Sequence, residues 1–279
     1  MKIGNKIFDF ENKGYIMGIL NVTPDSFSDG GNNIDLDSAL YHTQQMIHDG
    51  ADMIDVGGES TRPNYTMISE EEEIDRVCPI IEGIKKRFDI AISLDTYKTK
   101  VASAGIRVGV DMINDIWGLK WDGMMAPLLA EQKIPVCIMH NRKEGNYQNL
   151  IEDVKKDLLQ SIDIAISSGV TRDRIILDPG IGFAKSLDEN LLIMKHLESI
   201  TELGYPLLLG TSRKSMIGLS LNLNVNEREE GTMATTVIGR IKGCSIFRVH
   251  NVKGNLRTLK MTEEILKAGD NQNKLYNTL

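Results

Sequence analysis

Short apolar runs recur along this chain, and each gives way to a polar or glycine-rich loop and then to a stretch of helical period. The runs at 15–22, 51–56, 90–94, 112–113, 134–139, 174–177, 206–209 and 245–249 are predicted strands. They are short and bounded by turn formers, whereas the segments between them carry apolar residues at helical spacing. Over 151–168, Ile151, Val154, Leu158 and Ile162 share one stripe, and Gly169 follows as a stop. Ser69 with Glu72 predicts a capping box for the helix that follows. The acidic run 70–73 is expected to be that helix's solvated first turn, where carboxylates complement the dipole. Pro79 is expected to kink or break the same helix.

Strands alternating with helices imply parallel pairing with right-handed crossovers. Eight such units close into a (β/α)8 TIM barrel, an α/β fold. One domain over 1–279 is the simplest reading, with the barrel spanning about 15–268 and a small hairpin within 2–12 covering its bottom. An open doubly wound sheet is the competing architecture, but no GxGxxG run opens the first helix.

The length, 279 residues, is normal for one such barrel. A net charge of −7 argues against a broad nucleic-acid footprint, which needs a basic face. It leaves room for a local anion site. Cys78, Cys137 and Cys244 form no CxxC pair, and Cys137 is expected to be a small buried hydrophobe. The first twenty residues lack an apolar signal core, and no run approaches the ~18 consecutive apolar residues of a membrane span. A cytoplasmic enzyme, with no membrane or nucleic-acid partner, is expected.

A barrel of this kind works at the C-terminal ends of its strands. Those ends carry Asn21, Arg62, Asp95, Asn114, Met139-His140, Asp178, Lys214 and Arg248-x-His250. Singly, an Asp or Asn there is most simply a turn former or helix cap. Capping does not require two arginines, a lysine and a histidine on one rim, so a concerted site is expected. Arg62, Arg248 and His250 offer donors and charge for phosphate oxygens. Asn21 offers an amide oxygen to Mg²⁺, which takes few protein ligands beside phosphate and water. Asp95, Asn114 and Asp178 are acceptors for the amino and ring N–H groups of a flat heterocycle, and Phe183 can cover its face. Residue chemistry thus reaches a phosphorylated, nitrogen-rich heterocycle and stops there.

Longer motifs go further. MGILNVTPDSFSDG at 17–30 and GADMIDVGGESTRP at 50–63 come first. DPGIGF at 178–183 with Lys185, GTSRKS at 210–215 and RVHNV at 248–252 follow in order. Together they resemble the signatures of the dihydropteroate synthase family over essentially the whole chain. The resemblance implies condensation of 6-hydroxymethyl-7,8-dihydropterin pyrophosphate with p-aminobenzoate, releasing pyrophosphate. It implies that Asn21 binds Mg²⁺ and pyrophosphate, with Arg62, Arg248 and His250 on the anion. It places Asp95, Asn114, Met139, Asp178, Gly182, Phe183 and Lys214 around the pterin. Phe27, Ser28, Thr61, Arg62, Pro63 and Ser215 fall to p-aminobenzoate and two loops expected to be mobile when empty. Asp95, Lys214, Arg248 and His250 are the expected catalytic set, and a homodimer is the expected assembly. The alternatives are a methyltetrahydrofolate-type pterin methyltransferase, with no pyrophosphate to hold, or a silent pterin-binding paralogue.

Overall fold

Alternating side chains dictate how the strands sit. In most runs one parity is apolar and the other changes from apolar to polar along the strand; the exceptions are 136–139, where both parities stay apolar, and Asp115, which puts a carboxylate on the apolar parity. The computed structural model describes residues 1–23, 36–59 and 66–269. Its barrel strands are β3 (Tyr15–Asn21), β4 (Met53–Gly57), β5 (Ala91–Asp95), β6 (Met112–Asp115), β7 (Val136–Met139), β8 (Ile175–Asp178), β9 (Leu208–Leu209) and β10 (Ile246–Val249). They pair in parallel in the order β8-β7-β6-β5-β4-β3-β10-β9. A parallel bridge between Leu177 and Leu207 joins the ends, with Leu177 N–H donating to the Pro206 carbonyl at 2.9 Å. The expected barrel is therefore formed, and β6 runs further, and β9 less far, than the apolar runs predict.

The outward parity, including Ile16, Ile54, Ile92, Ile113, Ile138, Leu177 and Phe247, packs against the surrounding helices in one large core. The inward parity makes layers. Its lower layer is apolar: Met17, Met53, Ala91, Met112, Cys137, Ile176, Leu208 and Ile246. Ile3, Phe8 and Phe10 seal this layer from below, around the short hairpin of β1 (Lys2–Ile3) and β2 (Lys6–Ile7). The hairpin thus covers the barrel bottom as expected, and buries aromatic surface in doing so.

Helices α1 (Leu36–His48), α2 (Glu70–Arg87), α3 (Thr99–Arg107), α4 (Met125–Gln132) and α5 (Leu150–Ser167) follow one another in the first five crossovers. Helices α6 (Leu187–Lys195), α7 (Glu198–Thr201), α8 (Ser215–Leu221), α9 (Glu229–Ile241) and α10 (Val252–Leu266) complete the ring. The predicted stripe of α5 is buried at Val154, Leu158 and Ile162, and Gly169 ends that segment with φ +100°.

Three expectations for α2 need correction. Pro79 does not break the helix, which runs continuously from Glu70 to Arg87. Ser69 does accept from Glu72 N–H, but the Glu72 carboxylate turns to Arg76 instead of closing a capping box. The acidic run is not wholly solvated either. Glu73 is 1% exposed and, with Glu59, flanks the buried ammonium of Lys98 at 2.8 Å on each side. Tyr97 Oη also donates to Glu59, and Glu59 accepts from Ile68 N–H.

Candidate active site

Above the apolar layer the inward parity turns polar: Asp55, Ser93, Asp95, Asn114, Asp178 and Arg248, all buried or nearly so. Pairing lays Asn21, Gly57, Asp95 and Asn114 side by side on four adjacent strands. This row lies at or next to the strand ends, so sheet register alone gathers residues far apart in sequence. A Cβ on Gly57 would lie 3.8 Å from Asp95 Oδ2 and 4.0 Å from Asn21 Oδ1, which shows how closely the row's side chains gather.

Arg248 crosses the barrel. Its Nε donates to Asp55 Oδ2 at 2.6 Å and its Nη2 to Asp95 Oδ2 at 2.9 Å. Asn114 Nδ2 donates to the same Asp55 oxygen at 3.3 Å. Burial works to lower the guanidinium's pKa, but the carboxylates of Asp55 and Asp95 outweigh it and the pKa is raised. Burial pushes Asp95 up to about 7; Arg248 opposes the rise and Asp55 adds to it. Oδ1 of both Asp55 and Asp95 is buried without a hydrogen-bond partner. Buried acceptors of this kind favour a donor ligand above them.

Asp178, Lys214 and Arg248 converge on Gly210, at the end of β9. A Cβ there would stand 3.8 Å from Asp178 Oδ2, 3.9 Å from Lys214 Nζ and 4.0 Å from Arg248 Cδ. Asp178 Oδ1 accepts from Gly180 N–H at 2.7 Å, which fixes the carboxylate. Burial raises Asp178 despite Lys214, and lowers Lys214 to about 8 despite Asp178. Lys214 Nζ donates to the Ile181 carbonyl and sits 4.8 Å from the Phe183 ring centre. Gly182 lies beneath it, where a Cβ would be 3.2 Å from Lys214 Cδ. Met139 completes an apolar wall with Tyr97, Ile116, Trp117 and Phe183.

His250 lies two residues beyond Arg248 on the same parity, with Nδ1 2.9 Å from Ser212 Oγ. Ser215 is exposed at the first turn of α8. Phe27, Ser28, Thr61, Arg62 and Pro63 lie outside the described residues, as does most of both loops expected to move. Asp95 and Asn114 cap no helix: Lys98 stands at the N-cap of α3 and Met124 at that of α4. His140 does not join the rim. It has the outward parity, is 2% exposed, and faces Asp157 on α5.

Sequence reasoning missed Asp55 as a site residue. Its signal was present: an aspartate of inward parity between Met53 and Gly57, inside an apolar strand. Ser212 and the groups behind the rim, Lys185 and Asp157, carried no such signal, because their partners lie on other elements.

An apolar wall, three buried carboxylates, two cations and a rim of donors define a barrel enzyme acting on a flat, polar, anion-bearing heterocycle. The family model of pterin binding enzymes matches residues 17–250. A dihydropteroate synthase of Clostridium beijerinckii is 59% identical over 268 residues, 96% of this chain and 100% of that one. The structure of a Clostridium difficile dihydropteroate synthase in the presence of pteroic acid superposes with a TM-score of 0.91. It shares 48% identity and covers 93% of this chain and 99% of its own. A Yersinia pestis dihydropteroate synthase in a sulfonamide drug complex gives a TM-score of 0.90 at 38% identity, covering 96% and 99%. The chain belongs to the pterin-binding enzyme family and, within it, to the dihydropteroate synthases.

Proposed function

We propose that the enzyme joins 6-hydroxymethyl-7,8-dihydropterin pyrophosphate to p-aminobenzoate through the groups assembled around Gly210. The observation that carries this reading is the convergence of Asp178, Lys214 and Arg248 there, beside Asp95 and Asn114. Asp178, Asn114 and Asp95 take the amino and ring N–H donors of the pterin. Met139, Phe183 and the bare backbone of Gly182 accept its faces. Lys214 directs its ammonium at the ring's acceptor atoms.

The C–O bond between the pterin methylene and pyrophosphate breaks, and the leaving oxygen keeps the electron pair. The aromatic amine then forms the C–N bond and gives up a proton. We favour bond breaking first. Around the ring, the carboxylates of Asp55, Asp95 and Asp178 outnumber the cations Arg248 and Lys214, so positive charge on the pterin is stabilised. Arg248 and His250 receive the anion, and Arg62 joins them. Arg248 therefore links the two ends of the reaction, since its other donors rest on Asp55 and Asp95.

Asn21 presents a neutral oxygen beside this site, and among the described residues no three His, Cys, Asp or Glu side chains gather to hold a metal. That donor set suits Mg²⁺ carried mainly by pyrophosphate and water. Once bound, Mg²⁺ would supply charge neutralisation to the departing pyrophosphate. Phe27, Ser28, Thr61, Pro63 and Ser215 form the p-aminobenzoate side. We also assign the enzyme to the cytoplasm as a homodimer. Exposed Leu219 and Leu221 on α8, Ile238 and Ile241 on α9, and Met261 and Ile265 on α10 support an apolar interface. Light scattering should then return twice the chain mass of 31.1 kDa.

Turnover decides the main assignment. Pyrophosphate should be released from the dihydropterin substrate only when p-aminobenzoate is present, with dihydropteroate formed in equal amount. Release indifferent to p-aminobenzoate, or none at all, would overturn the reading.

A further inference from the structure

Asp178 ends β8 and the loop that follows carries Gly182 and Phe183, yet its backbone is not one that relaxes into place. Gly180, Gly182 and Ala184 all have positive φ, at +69°, +84° and +48°. For Ala184 this is a conformation that an L side chain rarely adopts. Gly180 is pressed against β7's continuation so closely that a Cβ would come 1.9 Å from the His140 carbonyl oxygen. Something must hold this loop shut.

Lys185 sits behind it, on the side of His140. Its Nζ contacts three acceptors: the Gly180 carbonyl at 2.9 Å, the Phe183 carbonyl at 3.1 Å and His140 Nδ1 at 2.9 Å. An ammonium has three donors and an amine only two. His140 can accept because its other nitrogen faces Asp157: Nε2 lies 3.1 Å from Asp157 Oδ2. Burial, then Lys185, lowers the His140 pKa to about 3, so the ring is neutral and the proton sits on Nε2. Arg142 holds Asp157 in turn, Nε to Oδ2 at 2.6 Å. A chain of four groups thus ends in one charged donor on the pterin loop. The reaction itself uses none of them.

We propose that Lys185 is a positioning residue for the pterin: its charged form clamps the 180–184 turn so that Asp178, Gly182 and Phe183 face the ring. The inference rests on the pterin reading of the site, and it says that Lys185 sets affinity for the pterin without taking part in bond breaking. Loss of its proton leaves one of the three acceptors unmet and loosens the turn. Burial lowers Lys185 to about 7, with Asp178 and Glu189 opposing and Lys214 and Arg142 adding to the shift. These groups face it from β8, α6, the loop after β9 and the loop after β7, and His140 and Asp157 complete its surroundings. The clamp is therefore present at acid pH and fades as pH rises past neutrality.

The test uses the intact enzyme and two variants, Lys185→Met and Lys185→Arg. In Lys185→Met, the dissociation constant for 6-hydroxymethylpterin, read by calorimetry, should rise at least about tenfold. The KM for the pterin substrate should follow, while kcat stays within about threefold and the KM for p-aminobenzoate is unchanged. In the wild type, pterin affinity should weaken as pH rises above about 7. Lys214 titrates in a neighbouring range, near 8, but is untouched in Lys185→Arg. The arginine variant should recover most of the affinity and lose the part of the alkaline weakening that belongs to Lys185. Wild-type pterin affinity in Lys185→Met, or a fall in kcat with KM unchanged, would overturn the proposal. Should the methionine variant not fold, an alkaline limb identical in wild type and Lys185→Arg would overturn it alone. Absence of p-aminobenzoate-dependent turnover in the wild type would instead remove the functional reading beneath it.

Discussion

Asp95 is the residue whose protonation is most exposed to experiment, because burial holds it near neutrality while Arg248 pulls it down and Asp55 pushes it up. If it must be ionised to stabilise a cationic ring, kcat/KM falls as pH drops through about 7. Asp95→Asn should lower kcat and abolish that acid limb in the pH profile. Asp55→Asn removes a like charge, so the remaining limb should shift to lower pH. A limb that stays put would show that Asp55 does not reach Asp95 electrostatically. Asp178 makes a different prediction. Its Oδ1 is committed to the loop and its Oδ2 faces Lys214, so Asp178→Ala strands pterin donors in a dry site. The cost is about 1–3 kcal/mol or more. Calorimetry should find pterin binding at least about tenfold weaker. Asp178, Asn114 and Asp95 were legible in the sequence as polar residues at strand ends. Asp55 required knowing which parity faces inward.

Helix α2 shows how a local rule gives way to packing. Four acidic residues in a first turn suit the helix dipole. Glu73 nevertheless turns inward, because Lys98 arrives there from the following crossover with 4% of its side chain exposed. Glu59, just after β4, completes the triad, so Lys98 ties β4 and α2 together. Lys98→Met would leave two buried carboxylates facing each other. Removing one partner of such a buried pair costs about 3–5 kcal/mol. Burial already raises the folded-state pKa of Glu73, and losing Lys98 raises it further. The folded variant then binds more protons than the unfolded chain, so its stability deficit shrinks as pH falls. Urea denaturation at pH 7 and pH 5 should show a smaller deficit at the lower pH. An equal deficit at both would mean that packing, and not charge, dominates. Pro79 teaches the converse: a helix breaker is tolerated where Val77, Ile80, Ile81 and Ile84 bury one face of the helix.

Two substrates must meet above one barrel mouth, and the residues assigned to them differ in origin. Those for the pterin come from strand ends in fixed register and from the described loops after β8 and β9. Those for p-aminobenzoate come mainly from the loops after β3 and β4, with their glycine pairs and turn formers. On the proposed reading, pyrophosphate with Mg²⁺ would organise those loops, through Asn21 and Arg62. Equilibrium dialysis should therefore find p-aminobenzoate binding poorly to the free enzyme and much better with pyrophosphate and Mg²⁺ added. Equal affinity in both states would mean a preformed pocket. Sulfonamides, which share the shape and charge of p-aminobenzoate, should compete with it and not with the pterin substrate. Steady-state competition with the pterin instead would put the p-aminobenzoate side elsewhere.

The sequence by itself determined the alternation of strands and helices, hence the barrel, the sealed bottom and the rim of polar strand ends. These follow from periodicity and from where apolar runs stop, which are local properties of the chain. Its motifs also carried the family. Tertiary structure alone decided which polar groups meet. The Asp55–Arg248–Asp95 bridge spans 193 and 153 residues of sequence, and only barrel closure brings its members within hydrogen-bond reach. It also decided that His140 turns outward and Lys185 stands behind the loop. Ionisation follows from such neighbours, because a buried charge answers to every group within a few ångströms and not to its place in the chain.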